Sequence, residues 1–172
     1  MTTPVLKTDR LTLRPLAMTD AGRIARFTAD PDVAAMISDA PLPALEIGAE
    51  GRILIHQGRA GLGLEHLFAI DLPNEGLIGE AAATRDGKNG IEIGYWVAKP
   101  YWGQGYGEEA AKAVTGFAQS LQAQKVRAVC AVDNTASRRV LEKAGFMATG
   151  ESVRRYSLAR RENVACIAFE LQ

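Results

Sequence analysis

The chain has 172 residues, of which 47% are apolar and 23% charged, and these values are ordinary for a single globular domain over residues 1–172. Lysine plus arginine equals aspartate plus glutamate at 20 each, so the overall charge gives no reason to expect a nucleic acid or an anionic membrane as a partner. No apolar run is long enough to cross a bilayer, and the first ten residues lack the apolar core of a signal peptide.

The two cysteines, Cys130 and Cys166, both fall in apolar stretches with the composition of strands. Such positions are typical of buried thiols in a reducing compartment, and two cysteines do not make the disulfide framework of a secreted domain. We therefore predict reduced thiols and a cytoplasmic location. Because no histidine lies near either cysteine in the sequence, neither is predicted to be an acyl-enzyme nucleophile.

The first third of the chain predicts one strand followed by helices. Leu11 and Leu13 alternate with polar residues in a strand over residues 10–16. Thr19 and Asp20 are candidate N-caps for the first helix. The predicted helices cover residues 21–29, 33–38 and 45–58, the last of them weakened by Gly48 and Gly51.

Three strands come next. Leu64–Leu72 and Leu77–Arg85 flank a turn of Pro, Asn, Glu and Gly, and a second glycine-rich turn leads into a strand that begins at Ile91. This order predicts an antiparallel meander. His56 and His66 fall in peripheral segments of this half, and we predict no chemical role for either.

The second half predicts three more strands and two helices. Val126–Val132 is nearly all apolar, as expected of a strand that is covered on both faces. Phe146–Tyr156 and Val164–Leu171 are the last two strands. The order of the elements predicts a mixed α/β or α+β sheet with helices on its faces.

A short helix is predicted between the strand Val126–Val132 and the last two strands. Asn134 is a good N-cap for it, and Gly145 stands where a left-handed C-terminal residue belongs. Ala136, Val140 and Ala144 lie one turn apart, so they are the predicted inner face.

The segment from Ile91 to Gly107 organises the chain. A strand ends at Pro100, and glycines follow at positions 103, 105 and 107 before a segment of helical composition that extends to Leu121. The first N–H groups of a helix lack partners and favour an anion, and glycines let the backbone approach a phosphate. The spacing matches neither the dinucleotide-binding fingerprint nor a Walker loop. The alternative to an anion site is a glycine-rich turn between the strand and the helix that binds no ligand.

Three segments together resemble the GNAT N-acetyltransferase superfamily, and within it the branch typified by the RimJ and RimL enzymes. These segments are TDRLTLRPL, IGYWVAKPYWGQGYGEEA and NTASRRVLEKAGF. The resemblance covers nearly the whole chain. It implies a single GNAT-like domain, with a mostly antiparallel sheet of about seven strands and helices on both faces. It also implies that acetyl-CoA is the cosubstrate, that an amine is the acceptor and that no metal is used.

The same resemblance implies a set of cofactor-binding residues. Strand residues Gly94 to Ala98, including Trp96 and Val97, would line the acetyl and pantetheine groups. Asn134 and Ser137 would lie beside the thioester. The pyrophosphate cradle would be Trp102, Gly103, Gln104, Gly105, Tyr106 and Gly107.

Two residues are candidates for catalysis, Glu92 and Ser137. Glu92 shares a strand face with Gly94 and Trp96, where a carboxylate could accept the proton of the amine. Many members of the family carry a tyrosine as the acid for the CoA thiolate, but Leu141 holds that position here. The resemblance implies that Ser137 is the substitute. The alternatives are an ion-paired strand glutamate, a first-turn serine and, for Asn134, a plain helix cap.

The acceptor is left open by the sequence. Three hypotheses stand: acetylation of a protein N-terminal amine, acetylation of a small amine such as an antibiotic, polyamine or amino acid, and a non-catalytic acyl-CoA-binding module. Arg154, Arg155, Arg160 and Arg161 form a basic cluster that is either solvated or turned toward an acidic partner such as a ribosomal assembly. A monomer and a homodimer are both compatible with the sequence.

Overall fold

The computed structural model describes residues 3–87 and 89–172, which form one eight-stranded sheet with helices on both of its faces. The strands are β1 (Leu6–Lys7), β2 (Thr12–Pro15), β3 (Glu65–Leu72), β4 (Gly76–Arg85), β5 (Gly90–Val97), β6 (Lys125–Ala131), β7 (Phe146–Ser157) and β8 (Glu162–Leu171). The helices are α1 (Ala21–Thr28), α2 (Pro31–Ala34), α3 (Glu46–Gly61), α4 (Tyr106–Ser120) and α5 (Thr135–Lys143).

The strand order is β1-β2-β3-β4-β5-β6-β8-β7, with β5 and β6 parallel and the other neighbours antiparallel. The predicted mostly antiparallel sheet is confirmed. It has eight strands rather than about seven, because a two-residue edge strand, β1, pairs Leu6 with Leu13 ahead of the predicted first strand. None of the helices in the described ranges is long and apolar enough to span a membrane.

Alternation along β3 explains why helices cover both faces of the sheet. Phe68 and Ile70 belong to a core that includes α4 residues, and Leu67 and Ala69 belong to a second core under α1 and α3. Successive side chains of a strand point to opposite faces, so one apolar strand supplies both cores. The two cores fix α3 on one side of the sheet and α4 on the other.

The sheet opens beside β5. The whole of β5 pairs with β4, but its pairing with β6 runs only from Gly90 to Ile93. From Gly94 onward β5 diverges from β6, so its backbone leaves the ladder on that side. The edge of a strand presents backbone donors and acceptors. This divergence creates a cleft in the middle of the sheet.

The structure corrects the predicted inner face of α5. Leu141 is the residue that the helix buries, whereas Ala136 is exposed and Val140 and Ala144 are half-buried. Leu141 packs in the core with Phe146 and Cys130. The predicted caps are confirmed, since Asn134 Oδ1 accepts the Ser137 N–H at 3.0 Å and Gly145 has φ 94°.

The N-terminal helices differ from prediction in their ends. α2 covers residues 31–34 rather than 33–38, because Pro31 starts it and Asp30 accepts the Asp32 N–H at 2.9 Å. Asp20 precedes α1 but makes no capping bond, since its carboxylate pairs with Arg14. α3 extends past 58 to Gly61 despite its glycines.

Candidate active site

The divergence of β5 from β6 forms a cleft of about 770 Å³. Side chains from both faces of the sheet reach it, because the gap passes through the sheet. The residues predicted as cofactor contacts that line it are Trp96, Val97, Trp102, Gly103, Gly105, Tyr106, Gly107, Asn134 and Ser137, and the predicted base Glu92 lines it as well.

The glycine loop adopts a backbone that side chains disfavour. Gly103 has φ 75° and Gly105 has φ 83°, both in the left-handed region. Gly105 is the N-cap of α4, so the free N–H groups of the first turn follow it directly. The arrangement is that of an anion-binding helix N-terminus.

Two glutamates in the first turn of α4 could repel an anion, but each is paired. Glu108 contacts Lys112 at 2.8 Å and Lys143 at 3.1 Å. Glu109 accepts from Thr8 Oγ1 at 2.6 Å and pairs with Arg10 at 2.7 Å. Burial tends to raise the pKa of Glu109, but these hydrogen bonds hold it below its ordinary value. The charges of Glu108 and Glu109 are therefore balanced by basic partners at this end of α4.

Arg10 and Trp102 hold the loop against the sheet. Arg10 Nη1 donates to the Gln104 carbonyl at 2.9 Å, and its guanidinium lies 4.6 Å from the centre of the Tyr106 ring. The Trp102 indole N–H donates to the Val97 carbonyl at 2.6 Å. Sequence reasoning assigned no role to Arg10, although it lies within the first of the three family-like segments.

Two of the predicted cofactor residues do not line the cleft. Ala98 is fully buried, and its N–H donates to the Ile78 carbonyl at 2.8 Å. The Gln104 side chain donates to the Pro100 carbonyl at 3.2 Å and braces the loop. The cleft wall formed by β5 therefore ends at Val97.

Ser137 meets a tyrosine across the cleft. The Tyr95 hydroxyl donates to the Ser137 carbonyl at 3.1 Å and lies 3.0 Å from Ser137 Oγ. Burial raises the pKa of Tyr95 well above its ordinary value, so the phenol stays protonated. Tyr95 lies in the strand segment that was predicted to line the cofactor, but its contact with Ser137 was not predicted, because the two residues are 42 positions apart.

Glu92 forms an ion pair at the edge of the cleft. Its Oε2 lies 2.6 Å from Arg155 Nη2, and its side chain is about one-third exposed. The basic cluster is therefore not simply solvated, since Arg160 also pairs with Asp133 at 2.6 Å and donates to the Ala35 carbonyl. Both arginines tie the last hairpin to the walls of the site.

A second carboxylate, Glu80, lies deeper on the same side. It is 1% exposed, and its Oε2 accepts from Arg52 Nη1 at 2.6 Å and from the Trp96 indole N–H at 2.8 Å. Its Oε1 has no hydrogen-bond partner among the residues that the structure describes. A glutamate inside the otherwise apolar run LIGEAAA was the signal that could have identified it.

His56 also lines this side of the cleft, which corrects its predicted peripheral position. Its Nδ1 lies 2.5 Å from Glu65 Oε2, and Thr84 and Arg59 also donate to Glu65. Burial opposes ionisation of Glu65, but these bonds lower its pKa. His66 lies away from the cleft and packs against Phe117.

Two further features complete the chemistry of the site. Cys130 and Cys166 are free and buried, as predicted, and burial raises the pKa of Cys130 to about 11. A thiol of that pKa is a poor nucleophile at neutral pH.

Across residues 3–87 and 89–172, no group of three or more histidine, cysteine or carboxylate side chains is arranged to hold a metal ion.

Comparison with known proteins gives a consistent result. A family model described as "Acetyltransferase (GNAT) domain" matches residues 10–147. The uncharacterized N-acetyltransferase p20 of Bacillus licheniformis is 27% identical over 170 residues, which covers 96% of this chain and 94% of that protein.

Two solved structures share the fold. Mycobacterium smegmatis RimJ in complex with CoA-disulfide has a TM-score of 0.86 at 20% identity, with 99% of this chain and 90% of that chain covered. RimL, a ribosomal L7/L12 alpha-N-protein acetyltransferase in complex with coenzyme A, has a TM-score of 0.80 at 17% identity, with 96% and 97% covered. Because the family model spans residues 10–147, most of the sequence, the chain belongs to the GNAT family and is an acetyl-CoA-dependent N-acetyltransferase.

Proposed function

We propose that the protein acetylates a protein N-terminal amine, by direct attack of the amine in a ternary complex. The observation that carries this proposal is the set of carboxylates on the side of the cleft away from the glycine loop: Glu92 at the edge, and Glu80 and Glu65 at depth. Each of these carboxylates is paired with an arginine, but a carboxylate has further lone pairs that can accept from the N–H groups of an amine. The fold shared with RimJ and RimL supports a protein acceptor.

The residues that would hold acetyl-CoA fit that ligand. Gly103 and Gly105 expose backbone N–H groups, and a Cβ at Gly94 would meet nothing within 4 Å, so there is room beside β5. Trp102, Tyr106, Gly107 and Asn134 line the same gap, whereas Gln104 does not. When bound, acetyl-CoA supplies an activated thioester.

Glu92 is proposed as the general base. An α-amino group has a pKa of about 8, so part of it is protonated at neutral pH and the proton must be removed before attack. Glu92 lies on the face of β5 that also carries Gly94 and Trp96, with its carboxylate at the rim of the cleft. Transfer of the amine proton to Glu92 through one bridging water suits a carboxylate at the rim of the cleft.

Ser137 is proposed to hydrogen-bond the departing sulfur. Its Oγ lies in the first turn of α5, where developing negative charge is favoured. Leu141 offers no hydroxyl and is buried in the core. Tyr95 instead brings a phenol to within 3.0 Å of Ser137 Oγ, from the neighbouring strand. The phenol has a single hydrogen, so when Tyr95 donates it to Ser137 Oγ instead of to the Ser137 carbonyl, the Ser137 hydroxyl hydrogen is left free to point to the sulfur.

A small amine is the second candidate acceptor. The observation that favours it is depth, since the buried Glu80 and the His56–Glu65 pair lie at the bottom of the cleft, where a compact molecule fits.

We also propose a cytoplasmic location, which is supported by the two free buried cysteines.

A thiol-release assay with acetyl-CoA separates the two acceptors. The panel should hold peptides with free N-termini, the same peptides with blocked N-termini, and polyamines, amino acids and aminoglycosides. We expect turnover with free N-termini and loss of turnover when they are blocked. Turnover confined to the small amines would replace the first candidate with the second.

A further inference from the structure

One histidine of the cleft has no part in the chemistry described so far. His56 lies on α3 and lines the cleft, and its side chain is 15% exposed. Its Nδ1 lies 2.5 Å from Glu65 Oε2. The opposite ring nitrogen, Nε2, forms no hydrogen bond with the residues that the structure describes. The wall of the cleft therefore carries an imidazole with one nitrogen held and the other open.

Glu65 fixes the tautomer of this imidazole. Its carboxylate is buried and also accepts from Arg59 Nε and from Thr84 Oγ1, each at 2.9 Å. Burial opposes ionisation of Glu65, but its hydrogen bonds hold its pKa below the ordinary value, so it is ionised at neutral pH. An ionised carboxylate only accepts hydrogen bonds, so the hydrogen lies on His56 Nδ1. The neutral ring then carries its lone pair on Nε2, the nitrogen that can take a proton.

Strand pairing places Glu65 and Glu92 in one row across the sheet. Glu65 pairs with Thr84, and Thr84 pairs with Glu92, so the three side chains point to the same face. All three line the cleft. Neighbouring strands are about 4.8 Å apart, so roughly 10 Å separates the backbones of β3 and β5. His56, above Glu65, and Glu92 therefore lie on opposite sides of one space.

The floor of this space is made of small side chains. The next row on the same face pairs Leu67 with Ala82 and Ala82 with Gly94. A Cβ added at Gly94 would meet nothing within 4 Å. An acceptor amine therefore has room between Glu92 and His56, beside the strand that would line the acetyl group.

Acetylation of an ammonium group removes two protons from its nitrogen. The overall change converts R–NH₃⁺ and acetyl-CoA into R–NH–acetyl, CoA-SH and one H⁺, so one proton ends on sulfur and the other in water. The first proton leaves before attack, because the nitrogen needs its lone pair to form a bond. The second leaves after the bond to the acetyl carbon has formed, and its removal keeps the amine from departing again. Glu92 is the proposed acceptor of the first proton.

We propose that His56 accepts the second proton of the acceptor nitrogen on Nε2, and that Glu65 positions the ring. This inference rests on the proposed function. The N–H bond breaks, its electron pair stays on the nitrogen of the new amide, and the proton forms an imidazolium beside the Glu65 carboxylate. His56 then releases the proton to water. Histidine suits this task because its charge changes between about pH 5 and 8.

The charged groups around His56 are balanced by one another. Glu65 comes from β3 and is paired with Arg59 of α3. The other pairs on this side of the sheet are Arg52 with Glu80 and Asp39, and Glu92 with Arg155. Since each of these arginines is paired with a carboxylate, an imidazolium at His56 meets the Glu65 carboxylate as its direct neighbour.

His56→Gln tests the transfer of the proton. Its amide can still donate to Glu65, so a structural contact is kept while the ability to take a proton is lost. With a peptide acceptor, kcat should fall about 10²–10⁴-fold, the usual contribution of general acid–base catalysis. His66→Gln, at the second of the chain's two histidines, is the matched control and should keep its kcat, since His66 packs against Phe117 away from the cleft. Circular dichroism should show that both variants are folded.

Rescue by a small base separates chemistry from structure. In His56→Ala, imidazole added to the buffer should restore part of the lost rate, because it can enter the vacated space and take the proton. The same imidazole should leave the rate of the unmodified protein unchanged. A structural role for His56 predicts no recovery. Normal kcat in His56→Gln, or no recovery in folded His56→Ala, would overturn the inference.

Nitrogen-15 NMR of the histidine rings tests the tautomer without turnover. At a pH where the ring is neutral, we expect the hydrogen of His56 on Nδ1, and loss of that preference in Glu65→Gln. His66→Gln assigns the signals by removing those of the other ring. A hydrogen on Nε2 of His56 in the unmodified protein would contradict the proposal. Absence of turnover by the unmodified protein with every amine would instead overturn the proposed function, and this inference with it.

Discussion

Two carboxylates that line the cleft, Glu80 and Glu92, differ in their exposure and in their partners. Glu80 is buried and bonded to Arg52 and Trp96, whereas Glu92 lies at the rim with a single arginine partner. A buried, paired carboxylate stabilises its surroundings, and a rim carboxylate has access to water and to an amine. The ion pair between Glu92 and Arg155 is compatible with a structural role as well.

Glu92→Gln separates the two roles. If Glu92 is the base, kcat should fall by about 10²–10⁴-fold, because that is the usual contribution of general base catalysis. The affinity for acetyl-CoA, measured by calorimetry, should change little. Arg155→Met is the control, since it removes the ion pair but keeps the carboxylate. Equal losses in the two variants would mean that the ion pair, rather than the base, matters.

The contact between Tyr95 and Ser137 permits a double-mutant cycle. Tyr95→Phe and Ser137→Ala should each lower kcat, by roughly 10-fold or more, because each weakens hydrogen bonding to the sulfur. If Tyr95 acts through Ser137, adding Tyr95→Phe to Ser137→Ala should cause little further loss. A purely structural tyrosine would lower kcat by the same factor in both backgrounds. Tyr156→Phe, at an exposed site, is the control for removing a hydroxyl.

At the scale of elements, the glycine loop and the first turn of α4 act as one unit. The loop supplies left-handed glycines, the helix supplies free N–H groups, and Arg10 joins the loop to the N-terminal segment. Pairing of Glu108 and Glu109 with basic partners keeps two acidic residues from opposing a phosphate. The anion site therefore depends on side chains from three separate parts of the chain.

Gly105→Val tests this unit. Valine is strained at φ 83°, and its Cβ would lie 3.2 Å from Arg10 Nη2, so the loop must change shape. We expect binding of acetyl-CoA to be lost in calorimetry while circular dichroism still shows a folded protein. Gly116→Ala, at an open position later in α4, should bind normally. Unchanged affinity in Gly105→Val would rule out the loop as the phosphate site.

At the scale of the whole molecule, acid stability should depend on Asp20. Burial alone would raise the pKa of Asp20, but bonds from Arg14 and from the Ala17 N–H hold it below 3.8. A lowered folded-state pKa stabilises the protein above the unfolded value, and this stabilisation is lost as pH falls through the folded value. Asp20→Asn should therefore cost roughly 2 kcal/mol at pH 7, the value of a charged hydrogen bond, and less in acid, once the Asp20 carboxylate of the folded protein is protonated.

Urea unfolding at several pH values measures that difference. The control is Asp9→Asn, which alters an exposed carboxylate at the N-terminal end of the chain. A loss of stability in Asp20→Asn that stays the same at pH 7 and at low pH would show that the effect is not electrostatic.

The sequence by itself determined most of the elements and the glycine loop that precedes α4. Caps, turns and glycine spacing act over a few residues, so Asn134, Gly145 and the loop around Gly105 were predictable from local rules. The motif resemblance added the family, and the comparisons confirm it. The inner face of α5 was predicted wrongly, because the packing of Leu141 depends on which strands lie beneath the helix.

Only the tertiary structure decided which side chains meet. Ser137 contacts Tyr95 from 42 positions away, and Glu92 contacts Arg155 from 63 positions away. No local pattern specifies such pairs, because they depend on how β5, α5 and the last hairpin are placed around the cleft. The exposure of Ile47, Leu54 and Ile55 on α3 was likewise hidden, since apolar residues at helical spacing predict a buried face until the packing shows which side is covered.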